Sequence, residues 1–137
     1  MKLSEMVTGL DHVAVVVPDT EAALLVWRDA LGFAVRVSEV VNDGAVRLTH
    51  LSLGNVDLQL VEPLSADHPL RAWLIQHGSG LHHLCFAVDD VGLTLEQVRA
   101  AGLAPGSVAP HQGVGGKRAL FLDRAATADV QLEVTGA

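Results

Sequence analysis

The chain has 137 residues, half of them apolar, with a formal charge of -7 and a pI near 5.3. That length supports one domain with a substantial core, and an acidic balance without a basic stripe excludes nucleic acid as an expected partner. Cys85 is the only cysteine, so an intrachain disulfide and a cysteine-clustered metal site are excluded and a reducing compartment is expected. No apolar run reaches membrane-spanning length and Met1 to Thr8 carries no signal-peptide core; the expectation is a cytoplasmic protein with no membrane partner.

In chain order, Leu10 to Val17 is a β-rich run ended by Pro18, with Asp19 placed to cap a helix from Thr20 to about Leu31. Leu24, Trp27 and Leu31 form its expected apolar stripe, and Gly32 stops it. Strands are expected over Phe33 to Val41, Ala45 to Leu53 and Val56 to Val61. Gly54-Asn55 is a two-residue hairpin signal that pairs Leu53 with Val56, and hence His50 with Gln59 and Arg47 with Glu62, an expected ion pair. Asp67 is expected to cap a connecting helix carrying Leu70, Trp73 and Leu74. A further strand runs from Leu81 to Val88, and a helix from about Asp90 to Ala101 turns Val91, Leu95 and Val98 inward. A weak strand near Ala104 to Ala109, the loop His111 to Gly116, and strands Lys117 to Leu122 and Val130 to Val134 complete the chain. The glycine loop lacks the context of a phosphate-binding loop despite Lys117, and is expected to close over a substrate.

Two stretches of this chain say nearly the same thing. Registering Leu10-Asp11-His12-Val13-Ala14-Val15 on Leu81-His82-His83-Leu84-Cys85-Phe86 places His12 on His83, Val17 on Val88 and Asp19 on Asp90. Each copy reads as strand, helix, then three strands. The expectation is therefore a single α+β domain over residues 1–137, with module one at about 8–63, the connecting helix at about 66–78 and module two at about 80–136.

Alternation along the strands separates helix-facing apolar residues from the opposite, concave face. Val13, Val15 and Val17 leave His12 on that opposite face, and Leu84, Phe86 and Val88 leave His83 there. Leu58 and Leu60 leave Asp57 and Gln59, and Val130, Leu132 and Val134 leave Glu133. Two imidazoles, an amide oxygen and a carboxylate suit a divalent ion of intermediate hardness: Co, Mn, Ni, Zn or Fe. By the hairpin pairing His50 shares a face with Gln59 and titrates near neutral pH as a free residue, so it is a candidate acid or base. Cys85, Trp27 and Trp73 are expected to be packing residues, and Lys117, Arg118 and Arg71 surface charges.

These residues resemble the vicinal oxygen chelate (glyoxalase) superfamily, and within it the methylmalonyl-CoA epimerases. The resemblance is carried by Leu10-Asp11-His12-Val13-Ala14-Val15, Gln59-Leu60-Val61-Glu62-Pro63-Leu64, Gly80-Leu81-His82-His83-Leu84, Gly113-Val114-Gly115-Gly116 and Gln131-Leu132-Glu133. It implies paired βαβββ modules forming a half-barrel mixed sheet around a metal, with His12, Gln59, His83 and Glu133 as ligands. It also implies inversion of the α-carbon of an acyl-CoA thioester through an enolate, a proton-transfer role for Glu133, and a homodimer. Some relatives place a glutamate on the strand matching Ala45 to Leu53, where this chain has Arg47 or Leu48, which leaves His50 as the candidate second proton carrier. Rival activities with the same residues are a glyoxalase I-type lyase, an extradiol-type dioxygenase and a non-catalytic small-molecule-binding module. Gln59 as a fourth ligand argues against the dioxygenase.

Overall fold

A single helical turn, α1 (Leu3–Met6), precedes the long strand β1 (Val7–Val16) in the computed structural model, which describes residues 2–137. β1 forms over a valine-rich run and stops before Pro18, which has no N–H for a sheet ladder. Asp19 caps α2 (Thr20–Leu24), its Oδ1 accepting the Ala22 N–H at 3.1 Å. The helix does not run regularly to Leu31 as expected. It widens into a π-helical segment, Leu25–Ala30, in which the Leu31 N–H donates to the Val26 carbonyl at 2.8 Å. The wider turn rotates the later side chains, so Leu24 is buried and Trp27 packs on the core while Leu31 is 55% exposed.

Three strands follow, β2 (Val35–Val41), β3 (Val46–Ser52) and β4 (Asp57–Pro63). The hairpin register is the expected one, with His50 opposite Gln59 and Arg47 opposite Glu62. The expected Arg47–Glu62 ion pair does not form. Glu62 instead accepts the Thr20 N–H and hydroxyl at 2.8 and 2.6 Å, where a carboxylate satisfies donors at the start of α2, and Arg47 reaches Glu21 at 3.1 Å. The connecting helix α3 (Pro69–His77) is capped by His68, not Asp67, because the chain enters the helix at Pro69.

The second copy comprises β5 (Gly80–Val88), α4 (Val91–Ala100), β6 (His111–Gln112), β7 (Arg118–Phe121) and β8 (Leu132–Gly136). Asp90 caps α4 through the Leu93 N–H at 2.9 Å, and Val91, Leu95 and Val98 face inward as expected. The expected strand over 104–109 is absent; Pro105 and Pro110 remove ladder donors there, and the pairing with β7 begins at His111.

The chain forms two compact units, one of residues up to Asp11 with His83–Ala137, the other His12–His82. In the His12–His82 unit the strand order is β2-β3-β4-β1, with β1 and β4 parallel and the other pairs antiparallel. Its core is Val15, Val17, Leu24, Leu51, Leu58 and Leu60. In the other unit the order is β5-β8-β7-β6, with β5 and β8 parallel, and Val88, Val91, Leu95, Val98, Leu120 and Val134 are buried together. Each unit follows the βαβββ order, and the class is α+β with mixed pairing. Among the described residues no helix is long and apolar enough to cross a membrane.

Candidate functional site

Within the His12–His82 unit, the packing of Val15 and Val17 with Leu24 leaves His12 on the face of β1 away from the helix, 3% exposed. β1 runs beside β4 with Ala14 opposite Gln59, and β3 brings His50 opposite Gln59 from the other side. Gln59 Nε2 lies 3.0 Å from His50 Nε2, and His50 Nδ1 lies 3.0 Å from Asp57 Oδ2. Arg36 holds the same carboxylate through Nε at 2.8 Å and through Nη2. The His12 and His50 rings meet edge to face, with centroids 5.2 Å apart. Burial pushes the His50 ring down from its ordinary pKa, against the pull of Asp57. Partial burial works to raise the Asp57 carboxyl, but the bonds from Arg36 and His50 outweigh it and hold the group below the usual carboxylate range.

The second unit repeats this arrangement with different chemistry. β5 and β8 are parallel with Cys85 opposite Glu133, so in each unit the oxygen-bearing residue faces the position two beyond the strand histidine. His83 Nε2 lies 3.2 Å from Glu133 Oε1, both side chains buried, and His111 Nε2 lies 2.9 Å from Glu133 Oε2. Phe121, opposite Glu133 on β7, touches His83 edge-on and stacks on His111 at 5.3 Å. His82 points to the other face, edge-on against Trp73 at 5.2 Å. Cys85 is fully buried, and burial followed by the Glu133 charge pushes its thiol up, which suits packing and not nucleophilic attack.

Each unit therefore buries a histidine of its first strand and an oxygen donor of the parallel neighbouring strand on the helix-free face, His12 with Gln59 and His83 with Glu133. The donor types in each unit are ones a divalent ion of intermediate hardness accepts: imidazole nitrogen and amide oxygen from His12 and Gln59 in one, imidazole nitrogen and carboxylate from His83 and Glu133 in the other. Of the two residues the resemblance sets at the position of a glutamate, Arg47 bonds Ser38 and Glu21, and Leu48 is buried. Of the basic residues read as surface charges, Lys117 pairs with Asp11 at 3.4 Å, Arg118 with the Ala137 carbonyl and Arg71 with the Pro63 carbonyl. The loop expected to close over a substrate contains a short helical turn, Val114–Gly116, tied by the Gly113 N–H to Lys117.

Two residues at these sites, Arg36 and His111, escape sequence reasoning, and Asp57 is given a face but no role. Asp57 shares its strand face with Gln59, so parity indicates it once the hairpin is read. Arg36 sits at a register shift between β2 and β3, which no residue type announces. His111 opens the glycine loop and lies on a strand only two residues long.

Residues 11–121 match the family model of the glyoxalase/bleomycin resistance protein/dioxygenase superfamily. The ethylmalonyl-CoA/methylmalonyl-CoA epimerase of Cereibacter sphaeroides is 34% identical over 119 residues, covering 85% of this chain and 89% of that protein. The mitochondrial methylmalonyl-CoA epimerase of Mus musculus is 35% identical over 116 residues, 82% of this chain and 64% of that protein. Among solved structures, a variant of the Streptomyces coelicolor methylmalonyl-CoA epimerase in complex with 2-nitronate-propionyl-CoA superimposes with a TM-score of 0.84 at 28% identity, covering 96% of this chain and 98% of that one. The methylmalonyl-CoA epimerase of Mycobacterium tuberculosis gives 0.85 at 25% identity, covering 99% and 92%. The chain belongs to the glyoxalase/bleomycin resistance protein/dioxygenase superfamily, whose fold it carries, and within it is similar to the methylmalonyl-CoA epimerases.

Proposed function

We propose that the chain is a metal-dependent epimerase of methylmalonyl-CoA or a related 2-substituted malonyl thioester, with His12, Gln59, His83 and Glu133 as metal ligands. The observation that carries this reading is the register-equivalent placement of His12 with Gln59 and of His83 with Glu133, in a chain similar to named epimerases over most of its length. A CoA thioester is the ligand class, as in the complex of the Streptomyces relative.

The reacting carbon lies between a thioester and a carboxylate, and its proton is not acidic enough to leave unaided. His12, Gln59, His83 and Glu133 would hold the divalent ion, which when bound would supply positive charge that lowers the cost of an enolate. Glu133 is the proposed carrier of one proton at the α-carbon. Its Oε1 lies 3.2 Å from His83 Nε2 and its Oε2 lies 2.9 Å from His111 Nε2. Inversion requires a proton to return to the opposite face, with no net redox change. His50 was the expected second carrier, and both its ring nitrogens are engaged, by Asp57 and Gln59. To act on substrate it must exchange one of those bonds. A cytoplasmic location and a homodimer belong to the same proposal.

Incubating methylmalonyl-CoA with the protein in deuterium oxide tests it. Cobalt-loaded protein should place solvent deuterium at the α-position and chelator-treated protein should not. Absence of cobalt-dependent exchange would refute the reading. Turnover of a glutathione hemithioacetal in its place would favour the lyase.

A further inference from the structure

A glutamine amide can offer a metal either its carbonyl oxygen or its NH2 group, and only the oxygen binds. Nothing on β4 itself decides which end of Gln59 faces the site. We propose that Arg36, Asp57 and His50 form a hydrogen-bonded relay that turns the Gln59 amide so that its carbonyl oxygen is the end offered as ligand. The relay rests on the reading of Gln59 as a metal ligand, and makes Arg36, Asp57 and His50 positioning residues.

The donors and acceptors can be followed from the outer end, independently of how the amide is drawn. The Arg36 guanidinium can only donate, and the Asp57 carboxylate paired with it accepts from Nε, at 2.8 Å, and from Nη2. His50 Nδ1 lies 3.0 Å from the same Oδ2. A bare lone pair there would face a carboxylate, so Nδ1 carries the hydrogen and donates. Arg36 Nη2 also lies 3.4 Å from this nitrogen, but it is already directed at Asp57 at closer range. The His50 ring is wholly buried, which favours the neutral form with a single N–H. Its Nε2 is then bare and must accept. Gln59 Nε2, 3.0 Å away, donates to it, and the carbonyl oxygen at the other branch of the amide is left for the metal.

The backbone supports this division of labour. Asp57 and Gln59 alternate on one face of β4, and His50 is the direct partner of Gln59 across the β3–β4 ladder. Arg36 falls at the point where the β2–β3 register shifts, between the Val35–Leu51 and Val37–His50 pairs. Such an irregularity re-aims a side chain, here across β3 toward Asp57 on β4. Outer partners of this kind typically change metal affinity by about 10- to 100-fold when removed.

Nitrogen-15 spectra of histidine-labelled, metal-free protein read the tautomer directly, with His50→Phe to assign the signals. The relay predicts a neutral His50 protonated at Nδ1; protonation at Nε2 would overturn it. Cobalt titrations followed by visible absorption then compare variants. His50→Phe should bind cobalt about tenfold more weakly. His50→Gln should recover most of that loss, because its own amide can accept from Gln59 and donate to Asp57 with the same polarity. If Gln59→Ala binds cobalt as tightly as the native protein, Gln59 is no ligand and both readings fall. If Gln59→Ala binds weakly but His50→Phe does not, the relay alone falls. If His50→Gln keeps its affinity yet loses deuterium exchange at saturating cobalt, the positioning role stands and His50 also carries a proton.

Discussion

His111 makes two separable contacts, a bond to Glu133 and a stack on Phe121, and replacing it by phenylalanine or by alanine isolates them. The Nε2 bond to Glu133 Oε2 is 2.9 Å, and Glu133 is 6% exposed at its side chain, whereas the His111 side chain is 34% exposed. A hydrogen bond to a charged group contributes about 1.5–3 kcal/mol. Because water can reach this ring edge and replace part of the bond, the lower end, about 1.5 kcal/mol, applies. Stacking on Phe121, with centroids 5.3 Å apart and planes 21° from parallel, adds about 0.5–1.5 kcal/mol. His111→Phe keeps the stack and loses the bond, so it should destabilise the metal-free protein by about 1.5 kcal/mol, or lower Tm by about 5 °C. His111→Ala loses both and should cost about 2–3 kcal/mol. Urea unfolding read by fluorescence and circular dichroism gives the two values. If His111→Phe lies within about 0.3 kcal/mol of the native protein, or is as unstable as His111→Ala, the bond to Glu133 is not the source of the stability assigned to it.

His83→Ala should weaken cobalt binding more than about 100-fold, since it removes a direct ligand where even outer partners are worth about 10–100-fold. His82→Ala, which loses a contact with Trp73 at 5.2 Å, should bind nearly as the native chain does; equal losses in the two titrations would reverse the assignment. Gly136→Ala should cost about 2 kcal/mol in the same unfolding assay, because a Cβ there runs into the Val88 carbonyl. In metal-free protein, His50 has a folded pKa below its unfolded value of about 6.5, so the unfolded chain binds the proton first. Its contribution to stability is full above about pH 6.5 and falls as the pH is lowered. His50→Phe should flatten that part of the stability profile, and an unchanged slope would mean His50 is not its source.

The histidine strands were legible because valines and leucines alternate cleanly around them, and the Gly54-Asn55 turn set the register that brings His50 to Gln59. Glu133 was legible by the same alternation. The helix after Asp19 was misread at its end because the π-helical segment changes the angular spacing of Leu31 without changing the residue pattern. The strand assigned near Ala104 fell to prolines that strip donors from a ladder. Arg47 and Glu62 show a different limit: the sequence set their register, but stronger local demands, the donors of Thr20 and the reach of Arg47 to Glu21, chose their partners. Arg36 and His111 depend on a register shift and a two-residue strand, which are products of three-dimensional pairing that alternation does not encode.

Optically pure methylmalonyl-CoA, incubated with cobalt-loaded protein in deuterium oxide and followed by circular dichroism and mass spectrometry, tests the central claim most directly. Loss of optical activity should accompany deuterium at the α-carbon, and both should cease when cobalt is removed. Retained optical activity with the α-hydrogen in place would contradict the account.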